Sequence, residues 1–415
     1  MARIRVATWV LGGTVGVVFL LAALATGSVL AGCEEQAQSS GTHSSETQSS
    51  GPLSSGAAAS TTAPYGGVSI STVPVEDSCS PSSEPISSSA RSSAQRTITD
   101  MYGRELSVPA VVNRVLATGP VEMELVYLLA PDKLSGLSFE FSGNPPLVPE
   151  KYAKLPVVGG WFGTQTGNYE TFLAVHPDLV LEGSKESLAE RQQKLGEIPV
   201  VGVSSGDCLT QYEPALRFLG DLLGTTDSAE NLISYYREAM SYVQGVVSQI
   251  PDSRKVKVYY AEGKDGLSTD PAGSWHSKLL DFCGGKNVAQ LAAKPGYGMA
   301  ETSLEQIMLW DPDLIIIGRG SQPALYKTIM TDPKWTKLRA VKNKQVFVRP
   351  DNPFSWFDGP PGPCQILGLY WMVSKLYPEA TKDLRLTAKV KAFYSQFLHF
   401  DLTDNDVAKL LANPE

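Results

Sequence analysis

The stretch DSAENLISYYREAMSYVQGVVSQI, from Asp227 to Ile250, decides the fold of this chain. Its apolar residues recur at the i, i+3, i+4, i+7 spacing of a helix with one buried face. Asp227 and Glu230 have the spacing of an N-terminal capping box, and Pro251 ends the helix. We therefore predict one helix of about 24 residues, about 36 Å long. An ordinary surface helix of a single domain is the alternative, which the flanking sequence argues against.

Two similar phrases flank this helix. NYETFLAVHPDLVLEG runs from Asn168 to Gly183, and SLEQIMLWDPDLIIIG runs from Ser303 to Gly318. Five residue types are identical in register at a constant offset of 135 residues, namely Glu170/Glu305, Pro177/Pro312, Asp178/Asp313, Leu179/Leu314 and Gly183/Gly318. Each copy is typical of a short helix, a Pro-Asp turn and a buried strand. The duplication predicts two related lobes joined by the long helix.

Length and composition agree with two α/β lobes. The chain has 415 residues, of which 42% are hydrophobic, and its pI is about 5.2. This length allows two or three domains, and the acidic balance argues against a nucleic-acid partner. Alternating strands and helices on both sides predict mainly parallel sheets. We assign residues 97–225 to an N-lobe, residues 226–251 to the linking helix, and residues 252–415 to a C-lobe.

The N-terminus is predicted to be a targeting segment, residues 1–32. Arg3 and Arg5 precede an apolar run that continues without charge to Glu34 and is long enough to span a bilayer. A permanent transmembrane anchor is therefore one interpretation. The ending Leu-Ala-Gly-Cys33 resembles the lipobox of bacterial lipoproteins, whose cysteine is acylated. That resemblance implies a lipid anchor at Cys33 on the extracytoplasmic face of the membrane. Residues 33–96 are rich in Ser and Thr, which predicts a disordered tether.

The region from about Arg96 to Phe400 resembles the substrate-binding proteins of ABC importers for ferric siderophores, haem and cobalamin. The motifs that carry the resemblance are TDMYGRELSVP with RVLATGP, PVVGGWFG, LLDFCGGKNV, the two repeat phrases, and FSWFDGPPG. The resemblance implies two α/β lobes bridged by one long helix, with the ligand in the cleft between them. It implies no enzymatic activity and no intrinsic cofactor. The bound ligand is then a ferric chelate, haem or a corrinoid, and a nickel or cobalt chelate stays open.

Aromatic residues in Gly-rich loops are the strongest candidates for the ligand site. In open α/β sheets, ligands bind beyond the carboxyl ends of the strands. Loops run over the surface, so their aromatic side chains are available to stack on a flat ligand. The candidates are Trp161, Phe162, Trp275, Tyr297, Trp356 and Phe357. The resemblance strengthens Trp161 and Trp356, because their loops match cleft loops of the family. Local packing within each loop remains the alternative for any single residue.

The polar candidates are fewer. His276 is the histidine in a predicted cleft loop and could ligate a metal, although a lone histidine is a weak signal. Arg319 follows the second repeat and could face an anionic chelate, or could be a solvated surface residue. Asp358 lies in the aromatic loop, next to Gly359. Members of the resembling family often carry an arginine at the position of Gly359, so its absence here argues against a strongly anionic ligand.

The resemblance also assigns partners. Glu170 and Glu305 match the pair of glutamates that meets arginines on the two subunits of the permease, so we expect docking to an ABC permease dimer with its ATPase. Helix capping is the alternative role for these residues. The protein is expected to be a monomer. No phosphate loop, HExxH motif or Cys-x-x-Cys pair is present. A cell-surface hydrolase and a structural adhesin are the alternatives from other classes. A bridge between Cys283 and Cys364 stays open.

Overall fold

The computed structural model describes residues 94–163, 165–204, 209, 212–292, 299–318 and 322–414. All of them belong to one compact unit, Glu84–Glu415. The predicted targeting segment, Cys33 and most of the predicted tether lie outside the described residues. The strands are β1 (Gln95–Thr99), β2 (Glu105–Pro109), β3 (Val115–Ala117), β4 (Leu179–Glu182), β5 (Val200–Gly202), β6 (Lys257–Ala261), β7 (Ser268–Thr269), β8 (Lys286–Asn287), β9 (Ala300–Glu301), β10 (Leu314–Ile317) and β11 (Val346–Val348).

Helices cover the remaining regular structure. They are α1 (Pro120–Leu129), α2 (Glu150–Ala153), α3 (Tyr169–Ala174), α4 (Leu188–Leu195), α5 (Tyr212–Leu223), α6 (Thr226–Val247), α7 (Lys278–Phe282), α8 (Leu304–Trp310), α9 (Gln322–Thr331), α10 (Arg339–Lys342), α11 (Gln365–Leu376), α12 (Leu386–Phe397) and α13 (Asp404–Leu411). None of the helices in the described part of the chain is both long and apolar enough to cross a membrane.

The sheets confirm the predicted α/β class. In the N-lobe, β3, β4 and β5 form a parallel sheet with β4 in the centre. In the C-lobe, the parallel order is β11-β10-β6-β8, with the antiparallel pair β7-β9 beside it. β1 and β2 form an antiparallel hairpin, and Gly103 at its turn has a φ of 81°. The segment from Leu134 to Leu137 forms one isolated β-bridge at each end.

The linking helix is present as α6, with 22 residues. Its cap differs from the prediction, because the N-cap is Thr225 and no side chain closes a capping box. Glu230 instead forms an ion pair with Arg217 of α5. The buried face of α6 packs against α5 of the N-lobe and α11 of the C-lobe. One hydrophobic core continues from the N-lobe helices through α6 to α11 and α12. The linking helix therefore joins the two lobes by packing as well as by chain connectivity.

The sequence repeat is also a structural repeat. Its two strands, β4 and β10, both lie inside their sheets. Asp178 accepts a hydrogen bond from the backbone N–H of Arg114 at 2.9 Å, and Asp313 accepts one from Lys257 at 3.0 Å. Each aspartate thus ties the start of the neighbouring parallel strand to the central strand. His176 and Asp311, also 135 residues apart, both have a left-handed φ, at 47° and 41°.

Candidate functional site

A cleft opens where the carboxyl ends of the strands of both lobes meet. Its volume is about 430 Å³, within the range of about 300–1,000 Å³ that is usual for small-molecule sites. The N-lobe contributes the loop after β3, the start of α1, the loop around Trp161 and the end of β4; the C-lobe contributes the turn before α7 and the loop before α11. The lining residues are Thr118, Gly119, Pro120, Val121, Glu122, Trp161, Phe162, Gly163, Gln165, Glu182, Gly183, Ser184, Trp275, His276, Gly359 and Pro360.

The glycine that ends each repeat permits a close contact at the strand end. A Cβ atom at Gly183 would lie 2.5 Å from Oε1 of Glu122. A Cβ atom at Gly318 would lie 2.3 Å from the hydroxyl oxygen of Tyr260. These separations are far below van der Waals contact, so any side chain at either position must displace its neighbour. The repeat therefore keeps room for one polar side chain at the end of each central strand.

The N-lobe wall is built around Trp161. The guanidinium carbon of Arg191 lies 4.0 Å from the centre of the Trp161 ring, within cation–π distance. The Tyr169 ring lies 4.6 Å from the same indole, measured between ring centroids. Arg191 also pairs with Glu182 at 3.3 Å and donates to the Tyr169 hydroxyl at 2.7 Å. Trp161 reaches the cleft as predicted, but its orientation is fixed by its own lobe.

The C-lobe wall is built around Trp275 and His276. Trp275 is 45% exposed, which is unusual for so large an apolar ring, and its centroid lies 4.0 Å from that of the His276 imidazole. Ser274 caps the short turn Trp275–Ser277 by accepting from the His276 backbone N–H at 3.1 Å. The His276 ring is 3% exposed and lines the cleft. This wall offers the solvent-exposed ring of Trp275 and the buried imidazole of His276.

Two buried carboxylates stand behind His276. Nδ1 of His276 lies 2.5 Å from Oδ1 of Asp358 and 4.0 Å from Oδ2 of Asp270. The Tyr260 hydroxyl donates to Oδ2 of Asp358 at 3.4 Å. Burial raises the pKa of Asp270, and the neighbouring Asp358 raises it further, although His276 opposes the shift. Nε2, the other nitrogen of the His276 ring, has no hydrogen-bond partner within the described residues.

The structure corrects part of the predicted site. Trp356 and Phe357 are 0% exposed and belong to the core, so they do not line the cleft. Their loop is pressed onto α11, where a Cβ atom at Gly368 would lie 1.7 Å from the Trp356 carbonyl oxygen. Gln365 of the same helix also donates to the Phe357 carbonyl at 2.5 Å. Asp358 is buried too, and it contacts His276, which lines the cleft.

Other predicted residues have mixed outcomes. Phe162 lines the cleft, whereas Arg319 and Tyr297 lie outside the described residues. Cys283 and Cys364 are buried free thiols, so the bridge that the sequence left open is absent. The backbone N–H of Cys364 instead donates to Glu124 at 2.5 Å.

The sequence interpretation missed three acidic residues of the site. Glu122 and Glu182 line the cleft and are 5% and 4% exposed, and Asp270 is 0% exposed behind His276. Glu122 had a usable signal, because it follows a buried strand by a few residues at the start of α1, where ligands of α/β sheets bind. Asp270 had none, since its position depends on the folding of the loop after β7.

Glu170 and Glu305 occupy equivalent exposed positions in α3 and α8. Asn168 and Ser303 serve as the N-caps of the two helices through their side chains. A helix that precedes a parallel strand runs antiparallel to it. The N-terminal ends of α3 and α8 therefore lie on the side where β4 and β10 end, which is the side of the cleft.

Comparisons with known proteins agree with this geometry. A family profile described as periplasmic binding protein matches residues 114–353, more than half of the chain. An ABC transporter solute binding protein from Sulfurospirillum deleyianum has a similar structure, with a TM-score of 0.70 and 31% identity over 76% of this chain and 98% of that chain. Molybdate-binding protein MolA from Haemophilus influenzae is 23% identical over 76% of this chain and 94% of its own length.

Other relatives bind a different solute. The vitamin B12-binding protein of Vibrio parahaemolyticus is 24% identical over 57% of this chain and 80% of its own length. All these relatives are solute-binding proteins rather than enzymes, in agreement with the prediction. Members of the family act outside the cytoplasm, with a permease and an ATPase. The chain belongs to the periplasmic binding protein family, whose members are the solute-binding components of ABC transporters.

Proposed function

We propose that this chain is a lipoprotein anchored through Cys33 that captures a ferric chelate and delivers it to an ABC permease. The observation that carries the choice of ligand is the cleft itself. It combines aromatic walls from both lobes with an imidazole, and it is of moderate size. An iron chelate presents an apolar, partly flat surface that such walls can bury. Haem is the second iron ligand that the same walls suit.

The charge of the walls narrows the ligand class. Among the described lining residues, the charged side chains are Glu122 and Glu182, of which Glu182 pairs with Arg191 behind the wall, and neither Lys nor Arg lines the cleft. Placing an anion beside buried carboxylates costs free energy, since like charges repel strongly where water is excluded. We therefore favour a ferric chelate without net negative charge, of the hydroxamate rather than the catecholate type. Molybdate, the solute in the name of one relative, fits these walls less well.

The cleft volume narrows the ligand class further. At about 430 Å³ the site is in the lower half of the usual range for small-molecule pockets. Cobalamin is the largest ligand that the sequence left open, and the cleft would have to widen to enclose it. Compact ferric chelates and nickel or cobalt chelates need no such change. We accordingly consider cobalamin a less suitable ligand for this cleft than the compact chelates.

Delivery to the permease is proposed to use Glu170 and Glu305. Both side chains are exposed, and they lie at matching positions on the cleft side of the two lobes. A permease dimer with two-fold symmetry offers two equivalent contacts, one for each lobe. Leu173 and Leu309 lie one turn further along α3 and α8 and are 41% and 80% exposed. Each docking helix thus combines a carboxylate with an apolar contact.

The test begins with protein purified from its own host. Its absorption spectrum and metal content should reveal bound iron. The metal-free protein is then titrated with a neutral ferric hydroxamate, a ferric catecholate, hemin, cyanocobalamin and molybdate, with tryptophan fluorescence as the readout. We expect the hydroxamate to quench the fluorescence at the lowest concentration. A protein that binds molybdate or cyanocobalamin and neither iron chelate nor hemin would overturn the iron assignment.

A matched pair of variants locates the binding. Trp275→Ala removes the exposed ring at the cleft, whereas Leu309→Ala removes an exposed apolar side chain of α8, which does not line it. The first variant should weaken chelate binding and the second should leave it unchanged. Equal effects of the two substitutions would move the ligand site away from this cleft.

A further inference from the structure

Two buried carboxylates, Asp270 and Asp358, lie behind His276, and the binding of a chelate in the cleft does not require them. Asp270, His276 and Asp358 each offer one ligand atom, and these atoms all lie within 4.8 Å of one another. The three residues are 0%, 3% and 1% exposed. Two carboxylates in such a place are costly to bury unless a positive charge compensates them. The cluster therefore resembles a prepared cation site more than a wall for an organic ligand.

Three separate segments hold the backbone of these residues in place. Asp270 follows β7, and its backbone carbonyl accepts from the Asn287 side chain at 2.9 Å. The turn of His276 is capped by Ser274, which also donates to Oδ1 of Asp270 at 3.3 Å. The loop of Asp358 is fixed by the Ser355 hydroxyl, which donates to the Asp358 carbonyl at 2.6 Å. Residues whose backbone is positioned in this way lose little freedom when their side chains turn to bind a metal.

One carboxylate oxygen of the cluster lacks a donor. Oδ2 of Asp270 is buried and has no hydrogen-bond partner within the described residues, although the buried carboxyl of Glu262 lies beside the Asp270 side chain. It lies 4.0 Å from Nδ1 of His276, too far for a hydrogen bond. Arg349 is a buried cation of the C-lobe, and its Nη2 pairs with Asp351 at 3.1 Å. Buried polar atoms without partners are rare in proteins, and a bound water or ion is one of the explanations for them.

The distances suit a tetrahedral metal after a small adjustment. Bond lengths of about 2.0–2.2 Å to nitrogen and oxygen place neighbouring ligand atoms about 3.3 Å apart. The pair Nδ1–Oδ1 of Asp358, now 2.5 Å, must lengthen by about 0.8 Å, and the pair Nδ1–Oδ2 of Asp270, now 4.0 Å, must shorten by about 0.7 Å. Rotation of the two carboxylate groups supplies changes of this size, because their terminal torsions are broad.

We propose that Asp270, His276 and Asp358 bind one divalent transition-metal cation, through Oδ2, Nδ1 and Oδ1 respectively, beneath the floor of the cleft. One imidazole with two carboxylates suits Zn²⁺, Co²⁺ or Ni²⁺ rather than Ca²⁺ or Mg²⁺, which prefer oxygen ligands alone. A fourth position is left for water, as in zinc sites with three protein ligands. Nε2 of His276 then keeps its hydrogen and can donate to a ligand in the cleft. The site goes beyond the proposed function because it requires no organic chelator.

The test uses tag-free protein stripped of metal, in equilibrium dialysis against Co²⁺, Ni²⁺ and Zn²⁺ with metal analysis. We expect one equivalent of cation to be bound, and visible absorption bands of low-symmetry Co²⁺ in the cobalt form. Asp270→Asn and His276→Gln should each weaken binding at least ten-fold. The matched controls are Asp265→Asn, an exposed carboxylate in the loop before β7, and His176→Gln; both should bind the cation as the parent does.

Two results would overturn the site. One is parent protein that binds no stoichiometric cation and gives no cobalt spectrum, a result that does not depend on how any variant folds. The other is binding that Asp270→Asn and Asp358→Asn leave unchanged, with melting temperatures that show both variants are folded. A ferric hydroxamate titration on the same sample distinguishes the two proposals. If the cation site is wrong, chelate binding is still observed, and if chelate binding is absent, the cation is still bound.

Discussion

The two lobes share one scaffold but differ at their cleft walls. The repeat supplies the same central strand, the same aspartate tie and the same closing glycine in both lobes. The side chains at the strand ends are unrelated, with Glu122 against Gly183 and Tyr260 against Gly318. In the N-lobe Trp161 is held by Arg191, whereas in the C-lobe Trp275 is 45% exposed. The duplicated residues thus build the frame, and the residues outside the repeat determine the ligand.

The largest expected effect concerns the two glutamates in the first turns of α3 and α8. Glu170→Ala combined with Glu305→Ala should reduce cellular uptake about ten-fold or more, because two charged contacts with the permease are lost. A ten-fold change corresponds to about 1.4 kcal/mol in binding free energy. Ligand affinity, measured in parallel, should stay the same. The matched control is Glu197→Ala with Glu379→Ala, which removes one exposed carboxylate from each lobe elsewhere. Normal uptake in the first double variant would contradict the docking role.

The contact between the lobes should make stability depend on pH. Burial raises the pKa of Glu124 to about 8, although the Cys364 N–H that it accepts opposes the shift. The folded protein therefore holds a proton that the unfolded chain releases near pH 4.5, the ordinary value. The resulting stabilisation is complete below that pH and is lost as the pH rises towards 8, with a slope of at most about 1.4 kcal/mol per pH unit. Glu124→Gln should flatten the slope in denaturant titrations between pH 5 and 8. An unchanged slope would show that Glu124 is ionised in the folded protein.

The two closing glycines should respond unequally to a methyl group. Gly318→Ala drives a Cβ atom into the Tyr260 ring, which is 0% exposed and surrounded by core. Overpacking of this kind costs about 1–3 kcal/mol in the free energy of unfolding. Gly183→Ala meets the flexible end of Glu122 and should cost less. Urea denaturation of both variants compares them directly, and an equal or reversed order would contradict the rigid contact at Tyr260.

A smaller difference is expected between the two tryptophans of the cleft. Trp275→Ala should weaken binding of the chelate by about 0.5–1.5 kcal/mol beyond the loss of buried area. Trp161→Ala also removes a partner of Arg191 and Tyr169, so it should lower stability as well as affinity. Isothermal titration together with thermal melting separates the two effects. A stability loss in Trp275→Ala equal to that in Trp161→Ala would remove the distinction between the walls.

The smallest expected effect is the movement of the lobes. The hydrophobic core passes from α1 and α5 through α6 to α11 and α12 without a break. Hydrogen bonds also connect the lobes directly, from the backbone N–H of Leu147 to Asn352 at 2.7 Å and from Tyr127 to Leu398 at 3.0 Å. Closure on ligand binding should therefore be a few degrees. Small-angle scattering with and without the chelate should give nearly superimposable curves, and a wide clamshell change would refute this.

The fold could be predicted because its signals are local. Helical spacing predicted α6 to within a few residues, and the buried strand predicted in the second repeat phrase is observed as β10. The predicted capping box is absent because α6 begins at Thr226, which places Asp227 inside the helix, and Glu230 pairs with Arg217 on the neighbouring helix. Such competition between local and tertiary contacts cannot be seen along one segment of sequence.

The candidate site was less predictable because it depends on packing between distant segments. His276 was found as the histidine of a cleft loop, but Asp270 and Asp358 approach it only in the folded chain. Trp356 was misplaced because a Gly-rich aromatic loop usually lies at the surface. Here Gly368 lets that loop settle onto α11, and its tryptophan is buried. Gly368 is distant from Trp356 in the sequence, yet its lack of a side chain allows Trp356 to lie in the core and not in the cleft wall.

The most direct test is anomalous diffraction at the iron edge from crystals of the protein with a bound ferric hydroxamate. We predict one iron peak in the cleft, between the wall of Trp161 and Phe162 and the wall of Trp275 and His276. An iron peak outside this cleft, or crystals that contain no iron after soaking at saturating chelate, would contradict the claim that the two lobes hold a ferric chelate between them.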